Sequence, residues 1–184
     1  MSTRPRFTCR VGKRSNAGMT LIELMVGLVI IGIGMTIAVP SFNGMIARNQ
    51  IAAQVNEMLT ALNYARSEAS KAGSTVSLQA VGGDGANEFG TGYCVVLGNP
   101  GDCSGAVIRR FPALSGGSTL NLVSDGGANS IQFNALGGVA DETSKSLDLC
   151  RTGQQGRRIF ISPIGRSSSH RPDDPDAAKR PVCN

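Results

Sequence analysis

The sequence predicts an α+β protein in which one long N-terminal helix, spanning a membrane with its first half, packs on antiparallel β-sheets. The first observation is an apolar run over 19–39 with a single charged residue, Glu23. The second is a helical repeat of apolar side chains that continues to Ala69. The third is a change after Gly73 to short alternating segments separated by glycine-rich turns. With 184 residues, 4% aromatics and no Trp, the chain is expected to form one globular domain with an aliphatic core.

The positive charge of the chain is concentrated at its N-terminus. Residues 1–18 contain no acid, and their basic residues are Arg4, Arg6, Arg10, Lys13 and Arg14. These residues account for the whole net charge of +5, because the other basic side chains are balanced by the 13 acidic ones. The net charge therefore does not indicate a nucleic-acid-binding protein. By the positive-inside rule, residues 1–18 lie in the cytoplasm and the remainder lies across the membrane.

The apolar run over 19–39 is long enough to span a bilayer, at roughly 31 Å as a helix. A secretory signal peptide would have a shorter apolar stretch and a small-residue cleavage site, which Pro40-Ser41-Phe42 does not supply. A plain signal anchor is the other alternative. It leaves Glu23 unexplained, because an uncompensated carboxylate in a membrane costs several kcal/mol.

The helical pattern resumes after Pro40, which is expected to end or kink the spanning part. The predicted apolar face consists of Phe42, Met45, Ile46, Ala52, Val55, Leu59, Leu62, Ala65 and Ala69. Gly73 is the expected C-terminal stop. The sequence therefore divides into a basic segment 1–18, a membrane half 19–39, an amphipathic half 40–73 and a β-rich domain 74–184.

Seven short strands are predicted in the β-rich domain. They are Thr75–Val81, Tyr93–Leu97, Val107–Phe111, Thr119–Val123, Ser130–Asn134, Leu147–Cys150 and Arg158–Ser162. Glycine pairs such as Gly116-Gly117 and Gly137-Gly138 separate them. We expect these strands to form antiparallel sheets that cover the apolar face of the helix.

The segment from Ala17 to Met25, AGMTLIELM, resembles the type IV prepilin leader. The single departure is Met19, where phenylalanine is more usual. The resemblance implies that a prepilin peptidase cleaves between Gly18 and Met19 and that the new amine of Met19 is N-methylated. The apolar helix is then retained, unlike a signal peptide.

The same resemblance implies a role for Glu23, which becomes the fifth residue of the mature chain. Its carboxylate would pair with the terminal ammonium of a neighbouring subunit's Met19 and set the register between subunits, because a buried carboxylate is tolerable when it is paired. The alternative is that Glu23 only reaches the lipid headgroups.

Three further segments are similar to the GspH/FimT family of type II secretion minor pseudopilins and type IV minor pilins. They are Tyr64–Ala69, Ile131–Gly138 and Ile159–Arg166. This resemblance implies a lollipop-shaped, type IV pilin-like fold and a structural subunit that assembles into, or initiates, a pilus or pseudopilus. Its implied partners are the prepilin peptidase, other pilins or pseudopilins, and the inner membrane, with the globular domain in the periplasm. Membership of a pilus or of a secretion system is left open.

Five cysteines are present, and Cys9 would leave with the leader. An oxidising compartment favours disulfides among the other four, for which three connectivities exist. The preferred pairs are Cys94 with Cys103, which closes a short loop, and Cys150 with Cys183, which ties the tail to a strand, as in some pilins. The alternatives are free thiols or a zinc site, although metal-ligand spacing is absent.

The sequence does not indicate an enzyme, a cofactor or a metal. The only histidine is His170, and no phosphate-binding loop is present. The group Asp84, Asn87 and Glu88 has the chemistry to hold a cation, and a solvated loop is the simpler interpretation.

DNA binding is the alternative function. Between Cys150 and Asp173 the chain has no acid and several basic residues: Arg151, Arg157, Arg158, Arg166, His170 and Arg171. FimT-type minor pilins implicated in DNA uptake carry a Gly-Arg-x-Arg loop. Here Gly165-Arg166 is followed by two serines, and the next arginine is Arg171. A solvated basic loop is therefore the expected structure, and Arg166 and Arg171 are the candidate DNA contacts.

Overall fold

The computed structural model describes residues 18–82, 87–123 and 129–183, which form one helix, eight strands and a short 3-10 helix. The helix α1 spans Leu21–Ala72. The strands are β1 Val76–Ala80, β2 Tyr93–Leu97, β3 Val107–Phe111, β4 Ser118–Leu122, β5 Ser130–Phe133, β6 Lys145–Arg151, β7 Arg157–Ile161 and β8 Ser167–His170. The 3-10 helix is Ala177–Lys179. The predicted class, a long N-terminal helix packed on antiparallel sheets, is confirmed.

Both ends of α1 have local sequence causes. At the start, the backbone N–H of Glu23 donates to Oγ1 of Thr20 at 3.3 Å, which satisfies one free N–H of the first turn. At the end, Gly73 adopts a φ of +59°, and the N–H of Ser74 donates to the carbonyl of Ala69 at 3.3 Å. This is the hydrogen bond of a Schellman motif, for which glycine is favoured at the left-handed position. The helix does not end at Pro40.

The second half of α1 buries one narrow stripe at alternating steps of four and three residues. The stripe consists of Ile51, Val55, Met58, Leu62, Ala65 and Ala69. The predicted apolar face was wrong in part, because Ala52 is exposed and Phe42, Met45 and Ile46 are each more than half exposed. The 3.6-residue period identifies an apolar face, but only the position of the sheets decides where that face is covered.

The strands form two four-stranded antiparallel sheets, with the orders β3-β2-β1-β5 and β4-β6-β7-β8. Successive side chains of a strand point to opposite faces. The inner faces of both sheets join the helix stripe in one core, which includes Leu78, Tyr93, Val95, Ile131, Phe133, Leu120, Leu147, Leu149, Ile159 and Ile161. The helix is thus the common support of both sheets.

The outer face of the first sheet is covered by the loop 98–106. Ser77 Oγ donates to the carbonyl of Gly98 at 2.6 Å. A disulfide joins Cys94 of β2 to Cys103 of the loop, with Cα atoms 6.0 Å apart. This cover explains why β1 is buried on both faces although it is only five residues long.

The outer face of the second sheet is covered by residues 171–183, which we call the C-terminal strap. A disulfide joins Cys150 of β6 to Cys183, with Cα atoms 5.5 Å apart. The N–H of Val182 donates to Oδ2 of Asp148 at 2.8 Å. The four cysteines outside the leader are therefore paired as preferred from the sequence, and neither the zinc site nor free thiols are present among them.

A buried ion pair lies beneath the strap. Arg158 donates to both carboxylate oxygens of Asp148, at 2.7 and 2.6 Å, and to the carbonyl of Ala178 at 2.8 Å. The hydrogen bonds to Asp148 raise the pKa of the Arg158 guanidinium. Both side chains are at most 9% exposed, so neither charge has water as an alternative partner.

The strand β8 was not predicted. Its residues Ser167–His170 are polar without alternation, which is typical of a loop, and the prediction of a basic loop was wrong at this point. The strand forms because β7 presents an open edge, to which Ser167, Ser168 and Ser169 pair. The other seven strands were predicted with shifts of at most two residues at their ends.

We predict that Asp148→Ala lowers the free energy of unfolding by about 3–5 kcal/mol, because it leaves Arg158 buried without its partner. Chemical denaturation of the full chain in detergent, followed by circular dichroism, measures this change. The matched control is Lys71→Ala, which removes a surface pair with Glu68 in which the lysine side chain is 70% exposed. This control is expected to change stability by less than about 1 kcal/mol. Equal effects of the two substitutions would contradict the prediction.

Candidate functional site

The predicted processing site precedes α1 in an accessible position. Gly18, Met19 and Thr20 are outside the helix and exposed, and the side chain of Met19 is 70% exposed. Among the described residues, no atom lies within 4 Å of the position that a Cβ on Gly18 would occupy. Residues 1–17 of the leader lie outside the described residues.

Thr20 caps α1, a contact that was not predicted from the sequence. Its hydroxyl caps the helix through the backbone N–H of Glu23, so Glu23 is placed in the first turn of α1. The spacing Thr-x-x-Glu is that of a capping box, and this spacing was the signal available in the sequence. A carboxylate in the first turn is also favoured by the helix dipole.

Within the part of the chain that the structure describes, nothing covers the apolar side chains of the first half of α1. An 18-residue window reaches a mean hydropathy of 2.4 and is 0% buried. Every large apolar side chain from Leu21 to Val39 is more than half exposed. By length and composition, this part of α1 is able to cross a membrane.

In the globular part, the three segments that carry the family resemblance meet at one place. The turn 134–138 after β5 and the turn 162–166 after β7 lie against each other, with the N–H of Val139 donating to the carbonyl of Pro163 at 2.8 Å. A Cβ at Gly165 would lie 2.0 Å from the carbonyl oxygen of Gly137. Only glycine permits this approach, and its φ of +77° also favours glycine.

The two turns and α1 enclose a groove of about 500 Å³, which we call the twin-turn groove. It is lined by Arg66, Asn134, Leu136, Gly138, Val139, Glu142, Pro163 and Ile164. Leu136 is 91% exposed and Ile164 is 70% exposed, one at the tip of each turn. That these segments meet was not predicted from the sequence.

The arginines of the acid-free stretch do not form one cluster. Arg158 is engaged by Asp148, and Arg151 donates to Gln50 of α1. Arg166 and Arg171 lie before and after β8, roughly 16 Å apart along an extended strand.

Arg171 nevertheless lies close enough to Arg157 to affect its charge. Burial lowers the pKa of Arg157, and the nearby charge of Arg171 lowers it further, while Asp173 acts in the opposite direction. The candidate DNA contacts are therefore a pair, Arg157 and Arg171, at one end of β8 and a single residue, Arg166, at the other.

His170 attaches the strap to β8. Its Nε2 lies 2.8 Å from Oγ of Ser168, and its Nδ1 lies 2.8 Å from Oδ2 of Asp174. The hydrogen bond to His170 is the main cause that lowers the pKa of Asp174. The contacts of His170 therefore link β8 to the strap.

A cation site is not assembled in the part of the chain that the structure describes. No group of three His, Cys, Asp or Glu side chains is placed there to hold a metal ion. Of the sequence candidates, Asp84 lies outside the described residues, and Glu88 is fully buried beside Asn121 of β4.

Comparison with known proteins adds two family matches and several structural ones. Residues 54–165 match the model of the type II transport protein GspH, and residues 13–39 match the prokaryotic N-terminal methylation motif. No curated protein matches the sequence significantly.

The structural relatives are pilins and pseudopilins. The type IV minor pilin FimU of Pseudomonas aeruginosa (strain PAO1) is 25% identical in two crystal forms. The match to the first form has a TM-score of 0.59 and covers 71% of this chain and 98% of FimU. The match to the second form has a TM-score of 0.55 and covers 67% of this chain and 98% of FimU. The minor pseudopilin EpsH of the Vibrio cholerae type 2 secretion system is 13% identical, with a TM-score of 0.49, and the match covers 68% of this chain and 99% of EpsH.

These relatives are structural subunits and not enzymes. The methylation motif implies processing by a prepilin peptidase and assembly with other pilins. Because the family model covers more than half of the sequence, including both strand-turn segments up to Gly165, the chain belongs to the family of the type II transport protein GspH, as a minor pilin or pseudopilin.

Proposed function

We propose that this chain is a non-catalytic subunit that is inserted in the inner membrane, processed at Gly18 and built into a type IV pilus or type II pseudopilus, where it helps to initiate or extend the filament. The observation that carries this proposal is the presence in one chain of the N-terminal methylation motif and the GspH fold. Either one alone would leave the destination of the chain open.

The orientation follows from charge and redox chemistry. The basic leader remains in the cytoplasm, and the globular part lies in the periplasm. The two disulfides support this orientation, because such bonds persist in oxidising compartments.

Assembly requires that the exposed apolar half of α1 leaves the lipid and enters a filament core of similar helices. In that core, the carboxylate of Glu23 needs a cation, since an unpaired buried charge is strongly unfavourable. The N-terminal ammonium of Met19 on a neighbouring subunit supplies it. Capping by Thr20 holds the backbone of Glu23 at a defined position relative to the chain terminus.

DNA binding is the second candidate function, and a specific observation favours it. The charge of Arg171 lies close enough to disfavour the charged form of Arg157, and a bound phosphate would offset this repulsion. Opposing it, Asp173 already partly balances the pair.

The first prediction concerns processing. Intact-mass measurement of the membrane-bound protein should show a chain that begins at Met19 and carries one additional methyl group. Gly18→Glu should abolish cleavage, because a charged side chain replaces the small residue before the cleaved bond. Gly27→Ala is the control, since a Cβ at Gly27 meets no atom within 4 Å and processing should be normal. An uncleaved wild-type chain in cells with active prepilin peptidase would refute the processing site.

The second prediction concerns Glu23. Glu23→Val and Glu23→Gln should both leave processing and membrane retention intact and reduce incorporation into filaments, because each removes the charge that pairs with Met19. Quantitative immunoblotting of purified filaments measures incorporation. Thr36→Val is the control, since the Thr36 hydroxyl bonds only within its own helix, to the carbonyl of Ile33. Normal incorporation of the Glu23→Val protein would favour the headgroup alternative.

The third prediction tests DNA binding by an electrophoretic shift assay with the full chain in detergent. If the arginines bind phosphates, affinity should fall with salt and depend little on sequence. Replacing Arg157, Arg166 and Arg171 by Gln should flatten the salt dependence by about three contacts. Arg48→Gln, on the exposed face of α1, is the control. Absence of a complex at low salt would contradict DNA binding and leave the structural role as the one remaining proposal.

A further inference from the structure

The twin-turn groove contains an arginine without a partner. Arg66 forms no hydrogen bond or ion pair with any residue that the structure describes. Its side chain is half-buried between the turns. Its Nε lies 3.1 Å from the position that a Cβ on Gly137 would occupy and 3.2 Å from the corresponding position at Gly165. By contrast, Arg158 has Asp148, and Arg109 lies over an aromatic ring. A guanidinium is a bidentate partner for a carboxylate, and at Arg66 that position is available.

The apolar residues beside Arg66 are held rigidly towards solvent. Oδ1 of Asn134 accepts hydrogen bonds from the N–H groups of Leu136 and Gly138, both at 3.0 Å. In the second turn, the N–H of Gly165 donates to the carbonyl of Ser162 at 2.8 Å. A turn that is already ordered loses little conformational entropy when it binds. Leu136 is the most exposed large apolar side chain among the described residues, and it buries little of its surface within its own subunit.

The charges at the groove define what it accepts. Arg66 is the only cation among the lining residues, so a nucleic acid, which needs several cations, is disfavoured. Glu142 is exposed at the same groove and repels a second carboxylate. The complementary ligand is therefore a segment with a single carboxylate next to large apolar side chains.

We propose that the twin-turn groove binds such a segment of a neighbouring pilin-type subunit, with Arg66 holding the carboxylate and Leu136 and Ile164 holding the apolar side chains. This inference rests on the proposed function, because a filament subunit must contact unlike surfaces of its neighbours. It adds the contact surface and the chemistry of the partner segment.

The test uses the full chain in detergent and each purified companion subunit of the same filament. Affinity for one of these subunits should fall at least tenfold in Arg66→Gln and in Leu136→Ser. The affinity of Arg66→Glu should fall further, and replacing the partner carboxylate with arginine should restore it. Arg48→Gln and Leu97→Ser are matched controls, since both residues are exposed away from the groove. Unchanged melting temperatures exclude misfolding.

Several outcomes would overturn the inference. Wild-type affinity of both Arg66→Gln and Leu136→Ser for every companion subunit would do so. If only a second copy of this chain binds, the groove mediates self-association and not contact with a different subunit, which overturns the inference. Filament incorporation separates the two proposals: normal incorporation of both groove variants refutes the groove alone, whereas absence of the wild-type chain from filaments refutes the proposed function and the groove with it.

Discussion

The structure of the globular part depends on burial of the narrow helix stripe from Ile51 to Ala69 by two sheets at once. The inner faces of both sheets reach this stripe and join it in a single core. The side chains of the stripe become smaller towards its C-terminal end, where Ala65 and Ala69 are fully buried. Apolar burial on α1 therefore helps to hold the two sheets together.

The outer faces of the two sheets are covered in a similar way. Each is covered by a segment without long regular structure, the loop 98–106 or the C-terminal strap, and each cover is attached by one disulfide. Short strands with two buried faces are unusual in a small antiparallel domain, in which one face commonly remains in water. The disulfides limit the freedom of these covers in the unfolded chain, which stabilises the folded one. The fold therefore suits the oxidising side of the membrane.

The arginines show how environment assigns different roles to one residue type. Arg158 is buried and held by Asp148 and the strap, so its charge serves stability. The half-buried Arg157 lies near the charge of Arg171, and this local positive charge suits an anion. Arg66 lies between two rigid turns without a partner, which suits a carboxylate of another molecule. A count of arginines in the sequence does not separate these cases, because each depends on neighbours that are distant in the chain.

The sequence by itself determined the long helix, seven of the eight strands and the leader, because periodicity, caps, glycine turns and the run from Gly18 to Glu23 are local signals. Only the tertiary structure decided which helix face is covered, since Ile51 and Met58 are buried while Phe42 and Met45 are exposed. It also decided that Ser167–His170 forms a strand, because an open edge of β7 supplies hydrogen bonds that no local pattern of serines predicts. The twin-turn groove belongs to the same class: Arg66, Leu136 and Ile164 are far apart in the chain, and they meet because helix and sheets pack together.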